Sequence, residues 1–225
     1  MTQVRTVPTP HGDARLHIDR SRHPTATLLL GHGAGGGPDA RDLDTLARNL
    51  PREGITVIRL EQPWKVAGRK VAPAPKVLDE CLVAAADQLR PRTPLVLGGR
   101  SAGARSAART AHHLGASGVL ALAFPLHPPG RPEKSRLEEL AGVQVPLLVV
   151  QGEADSFGTP EEFPETYQVV PVPGADHSFK VRRDNVLSQD DVLGLVVEAT
   201  LEFVVREVVG NRGAPGGVAP SRTPR

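Results

Sequence analysis

The sequence predicts an α/β fold: one mostly parallel, doubly wound sheet, opened by a hairpin and carrying little or no cap domain. Short apolar runs centred near residues 28, 57, 96, 120, 148 and 169 read as strands buried on both faces. Helical segments separate most of them, which is the alternation a parallel sheet requires. No internal repeat or composition break interrupts this pattern before the C-terminal end. Residues 1–209 are therefore expected to form one folded unit, and the Gly-, Pro- and Arg-rich residues 210–225 a disordered tail.

The elements follow in order. Residues 4–7 and 14–18, with Pro10 to Asp13 between them, read as the opening hairpin. A buried-type strand at 26–30 runs into Gly31-His32-Gly33-Ala34-Gly35-Gly36-Gly37. Leu43, Leu46, Ala47 and Leu50 then recur at helical spacing. Residues 55–60 form a strand, and 61–75 an irregular loop in which Trp64 lies among Pro63, Pro73 and Pro75. That loop is expected to roof part of a substrate cleft. A helix over 76–90 leads to the strand Leu95-Val96-Leu97, and an Ala-rich helix follows. Strands are expected at 118–123, 145–150 and 167–172, a proline-heavy loop with His127 at 124–132, and helices at 135–140 and 190–208.

With 225 residues, 39% hydrophobic and 3% aromatic, the core must be built from Leu, Val, Ala and Ile. No apolar run approaches the roughly 20 residues of a membrane span. The first residues lack the charged-then-apolar layout of a signal peptide, and Cys81 is the single cysteine, so a cytoplasmic protein is expected. The formal net charge of +2 hints at nucleic acid. Its distribution argues against that: Arg206, Arg212, Arg222 and Arg225 face only Glu207 at the C-terminal end. Neither a nucleic acid nor a membrane is an expected partner.

Gly99-Arg100-Ser101-Ala102-Gly103, between strand and helix, fits a nucleophile elbow. A serine at the tip of such a turn needs neighbours almost free of side chains, and the helix behind it aims amides at a developing anion. The plainer reading is an N-capping serine. A nucleophilic serine needs a general base, and the base an orienting carboxylate. Asp155, after the strand at 145–150, and His177, after the strand at 167–172, stand in the order serine, acid, histidine at strand ends. Asp176 and Glu153 are less favoured acids.

The glycine loop carries two readings. Gly31 to Gly36 satisfies Gly-x-Gly-x-x-Gly, with Glu61 as a ribose ligand, which describes a dinucleotide site. Against it, His32 takes up space where the loop should meet a pyrophosphate. The favoured reading is an oxyanion hole formed by the amides of Ala102 and of Ala34, with Gly35 as second choice. His32 is expected to be structural while bordering a substrate cleft with Trp64 and His127. His32, His127, Asp155 and His177 lack metal-ligand spacing, so neither metal nor cofactor is expected.

Five segments together resemble a known group: 29–35, 98–103, 124–133, 151–158 and 174–179. They are similar to the small α/β-hydrolases related to dienelactone hydrolase. The Pro125-Leu126-His127-Pro128-Pro129-Gly130 loop points to the branch that includes testis-expressed protein 30 and the hydrolase-like subunit of the NSL chromatin complex. The resemblance spans residues 25–180 and implies an α/β-hydrolase fold with Ser101, Asp155 and His177 as the catalytic set. The chain departs from the group at Ala102, often methionine there, and at Ala154, often arginine or lysine. The expected activity is a serine hydrolase acting on a small acyl ester or thioester, as a monomer or homodimer. A silent scaffold with the same fold is the alternative.

Overall fold

The computed structural model describes residues 2–210; the tail expected at 210–225 lies, Gly210 aside, outside the described residues. In chain order the elements are β1 (Gln3–Thr9), β2 (Gly12–Asp19), β3 (Ala26–Gly31), α1 (Arg41–Asn49), β4 (Ile55–Glu61), α2 (Pro63–Val66) and α3 (Pro75–Asp87). There follow β5 (Leu95–Arg100), α4 (Ala102–Thr110), β6 (Gly118–Leu122), α5 (Leu137–Ala141), β7 (Leu147–Gly152), β8 (Gln168–Val172) and α6 (Gln189–Phe203). One eight-stranded sheet has the order β1-β2-β4-β3-β5-β6-β7-β8. Strand β2 pairs antiparallel with both β1 and β4, and every later pairing is parallel. This is an α/β-hydrolase fold, and no cap domain is present among the described residues.

Alternation along buried strands divides the core into two layers. Leu28 and Leu30 of β3 pack with Leu43 and Leu46 of α1 and with Val192 and Phe203 of α6. Leu29, between them, points to the other face, where Leu82 and Ala85 of α3 and Ala107 of α4 cover the sheet. Both faces being covered explains why the central strands read as continuous apolar runs rather than alternating ones.

Helix α4 lies unusually close to the sheet, and its small residues are the reason. A Cβ at Gly103 would fall 2.2 Å from the Gly31 carbonyl oxygen, and one at Gly99 2.4 Å from the same atom. Gly99 also has φ +159° and stands opposite Gly31 in the β3–β5 register. Ion pairs hold the outer side of α4: Arg109 Nη2 lies 2.7 Å from Asp79 Oδ1, and Nη1 lies 3.0 Å from Glu139 Oε2. Gly103→Ala therefore forces backbone apart. It is expected to cost about 3 kcal/mol or more, seen as a drop in Tm or loss of soluble protein; an unchanged Tm would contradict this packing.

The stretch after β4 differs from expectation. Residues 63–66 form a single helical turn, α2, rather than an irregular loop, and Trp64 within it is buried. Proline at the first helical position costs no hydrogen bond, because that N–H has no partner within a helix in any case. No helix among the described residues is long and apolar enough to cross a membrane.

Candidate active site

Ser101, Asp155 and His177 follow β5, β7 and β8, so all three stand at the carboxyl edge of the parallel strands. Ser101 has φ 54° and ψ −113°, a region that costs a non-glycine residue about 1–3 kcal/mol and persists only where the surroundings enforce it. They do so here: the Ser101 N–H donates to the Leu122 carbonyl at 3.0 Å, and α4 begins at the next residue.

The three side chains form one hydrogen-bonded chain. His177 Nδ1 lies 2.8 Å from Asp155 Oδ2, and His177 Nε2 lies 2.9 Å from Ser101 Oγ. A carboxylate only accepts, so Nδ1 carries the proton; in the neutral ring Nε2 then accepts from the serine hydroxyl. Asp155 is buried and fully engaged. Its Oδ2 also accepts from Gln151 Nε2 at 3.0 Å, and its Oδ1 from the Phe157 N–H at 2.8 Å. The Phe157 ring stacks on His177, with centroids 4.1 Å apart and planes inclined by 28°. The acid and base loops also touch through backbone, where the Ala154 N–H donates to the Ala175 carbonyl at 2.9 Å.

Asp176 and Glu153 have other partners. Asp176 Oδ1 accepts from the N–H groups of Ser178 and Lys180, bracing the loop after the histidine. Glu153 Oε2 accepts from the Gly174 N–H. Neither carboxylate is bonded to the imidazole.

The glycine loop packs on the nucleophile turn. A Cβ at Gly33 would lie 3.4 Å from Ser101 Cβ. The Gly36 N–H donates to the Gly33 carbonyl at 3.2 Å, which leaves Ala34 and Gly35 at the tip of an exposed turn. The Ala102 N–H opens α4 and has no acceptor within the helix. Helix α1 begins only at Arg41, after Pro38, so the glycines do not open a helix onto a pyrophosphate. Glu61 is engaged by His17 Nε2 at 3.0 Å.

The remaining expected cleft residues take supporting places. His32 Nδ1 donates to the Gly33 carbonyl at 2.9 Å and Nε2 accepts from the Gln62 N–H at 3.2 Å. Burial holds its pKa below the ordinary histidine value, as a neutral loop brace requires. Trp64 packs edge-on against His32 at 5.6 Å between centroids. It lines a cavity of about 670 Å³ with Gln62, Val66, Val71 and Cys81; Ser101, Asp155 and His177 are not among its walls. No group of three or more His, Cys, Asp or Glu side chains among the described residues converges as metal ligands would.

His127 lies behind the acid loop. Its Nδ1 donates to the Pro128 carbonyl at 2.9 Å, its Nε2 to Glu162 Oε2 at 2.9 Å, and its own N–H to the Phe157 carbonyl at 3.0 Å. The backbone bond to Pro128 and then Glu162 raise the histidine's pKa against burial. The Thr159 N–H and His127 lower that of Glu162. Because the folded histidine's pKa is raised, this stabilisation is complete below about pH 6.5 and vanishes as pH climbs through the folded value. The Tm gap between wild type and His127→Gln should thus be wider at about pH 6 than at about pH 9. A gap independent of pH would contradict the ion pair.

Arg100, Phe157 and Gln151 are the site residues that sequence reasoning missed. Each acts through a loop contact that residue spacing does not reveal.

Residues 24–205 match the model of the family described as alpha/beta hydrolase domain. Among solved structures, the chain is similar to a lidless α/β serine hydrolase from Xanthomonas campestris, at 23% identity and a TM-score of 0.71, covering 92% of this chain and 95% of that one. It is similar to an α/β serine hydrolase homologue from Coxiella burnetii, at 21% identity and a TM-score of 0.69, covering 88% and 97%. It is also similar to dienelactone hydrolase from Anabaena variabilis, at 17% identity and a TM-score of 0.71, covering 92% and 98%.

Proposed function

Because the chain belongs to the alpha/beta hydrolase domain family, we propose that it is a serine hydrolase that cleaves small acyl esters or thioesters through an acyl-enzyme. The observation that carries this reading is the unbroken chain Ser101 Oγ to His177 Nε2, and His177 Nδ1 to Asp155 Oδ2, on a strained serine. Ser101 Oγ attacks the acyl carbon while its proton passes to His177 Nε2, and Asp155 stabilises the imidazolium without taking the proton. The oxyanion is held by the N–H of Ala102 and by one from the glycine turn, Ala34 first and Gly35 second. His177 then protonates the departing alkoxide or thiolate. A water molecule, deprotonated by the same nitrogen, releases the acyl group from Ser101. The absence of a cap among the described residues suits a small, freely entering substrate. The proline loop 125–130 supports placement in the branch with testis-expressed protein 30, and the protein is read as cytoplasmic.

A panel of p-nitrophenyl esters and thioesters of increasing acyl length tests this. The expected result is turnover on the shorter members, preceded by a burst of p-nitrophenolate stoichiometric with enzyme. No turnover on any member would favour a silent scaffold instead.

A further inference from the structure

Arg100 fills the variable position of the Gly99–Gly103 turn, and no step above uses it. Its Nη2 donates to the carbonyl oxygen of His177 at 2.9 Å and to Ser178 Oγ at 2.8 Å. The residue before the nucleophile therefore grips the backbone of the base itself. On the other side, Arg100 Nε lies 3.6 Å from Asp42 Oδ2 in the first turn of α1, with the Arg100 side chain 13% exposed and that of Asp42 2% exposed. Neither of these two atoms has a hydrogen-bond partner among the described residues, so each depends on the other's charge. Burial raises the Asp42 pKa and the Arg100 cation lowers it.

The geometry points to Arg100 as a positioning residue: seated against buried Asp42, its guanidinium straps the His177 loop to the elbow and keeps the imidazole in line with Ser101. The proposal rests on the Ser101–His177 reading of the site. Asp155 and Phe157 set the ring's tautomer and plane, but they belong to the acid loop and do not tie the base to the nucleophile's strand. Arg100 does, through a planar fork that donates to two acceptors from one nitrogen while facing a carboxylate with another. Lysine has no such fork.

Steady-state kinetics on the best ester, with thermal melts, test it in Arg100→Met, Arg100→Lys, Asp42→Asn and the Arg100→Met/Asp42→Asn pair. The double variant removes the orphaned buried acid that Arg100→Met alone leaves behind. The expected result is a kcat about 10- to 100-fold lower in Arg100→Met and in the double variant, the scale for a catalytic group displaced by about 1 Å. KM should stay within about twofold, because no ground-state contact is lost. Arg100→Lys should fall between these and wild type, and the rate of fluorophosphonate reaction at Ser101 should fall with kcat. Full kcat in folded Arg100→Met, or full recovery in the double variant, overturns the proposal and leaves the Ser101 reading intact. Wild-type activity in Ser101→Ala overturns both.

Discussion

Ser101→Ala is expected to lower kcat by roughly 10⁶-fold, the scale on which a triad loses its nucleophile. The protein should remain folded. The hydroxyl's hydrogen bond is to His177 Nε2, and alanine inherits the same φ of 54° that serine already tolerates. Helix α4 starts at Ala102 without a side-chain cap from Ser101, so no helix-capping bond is lost. Steady-state hydrolysis with a thermal melt separates the two effects. A large loss of rate at unchanged Tm is expected, whereas a variant retaining a tenth of the activity would mean that another group does the chemistry.

Asp155→Asn should come next, at about 10⁴-fold in kcat. In the wild type one oxygen of Asp155 receives two donors, His177 Nδ1–H at 2.8 Å and Gln151 Nε2–H at 3.0 Å, while the other receives the Phe157 N–H. Asparagine can present one acceptor oxygen only. If that oxygen stays on Phe157, the amide NH₂ faces both former donors, and His177 can bond to it only by taking the other tautomer. Nε2 is then protonated and cannot accept the serine proton. With the oxygen toward His177, the amide collides with the Phe157 N–H. The loss should therefore appear in kcat with little change in the fold, and kinetics with a Tm measurement check it. A kcat within about tenfold of wild type would show that the acid does not set the tautomer.

What the sequence made legible followed from local pattern. Leu28, Leu29 and Leu30 signal a doubly covered strand because neighbouring side chains must each find an apolar layer. Gly99 and Gly103 signal the elbow because any larger residue there would meet the backbone of Gly31. Ser101, Asp155 and His177 come together because each follows a parallel strand, so chain order and strand ends suffice to bring them to one edge. The missing parts depend on long-range contact. Arg100 meets the His177 carbonyl 77 positions later in the chain, and no motif spacing encodes that. Phe157 carries no signal of its own in the sequence, because its stacking on the imidazole depends on how the acid loop turns back. His127 looked like a cleft residue because it follows a strand; its bond to Glu162 turns it into the acid loop instead. Trp64 sits among prolines that suggest an irregular loop, and its burial against the His32 ring is a contact that spacing does not encode.

The proposed function makes Ser101 a nucleophile activated by His177. Its most direct measurement is reaction with a fluorophosphonate followed by mass spectrometry of the digested protein. One phosphonyl group per chain is expected, on the peptide containing Ser101, with labelling abolished in Ser101→Ala and strongly slowed in His177→Ala. An unmodified wild-type protein, or an adduct that survives Ser101→Ala, would contradict it.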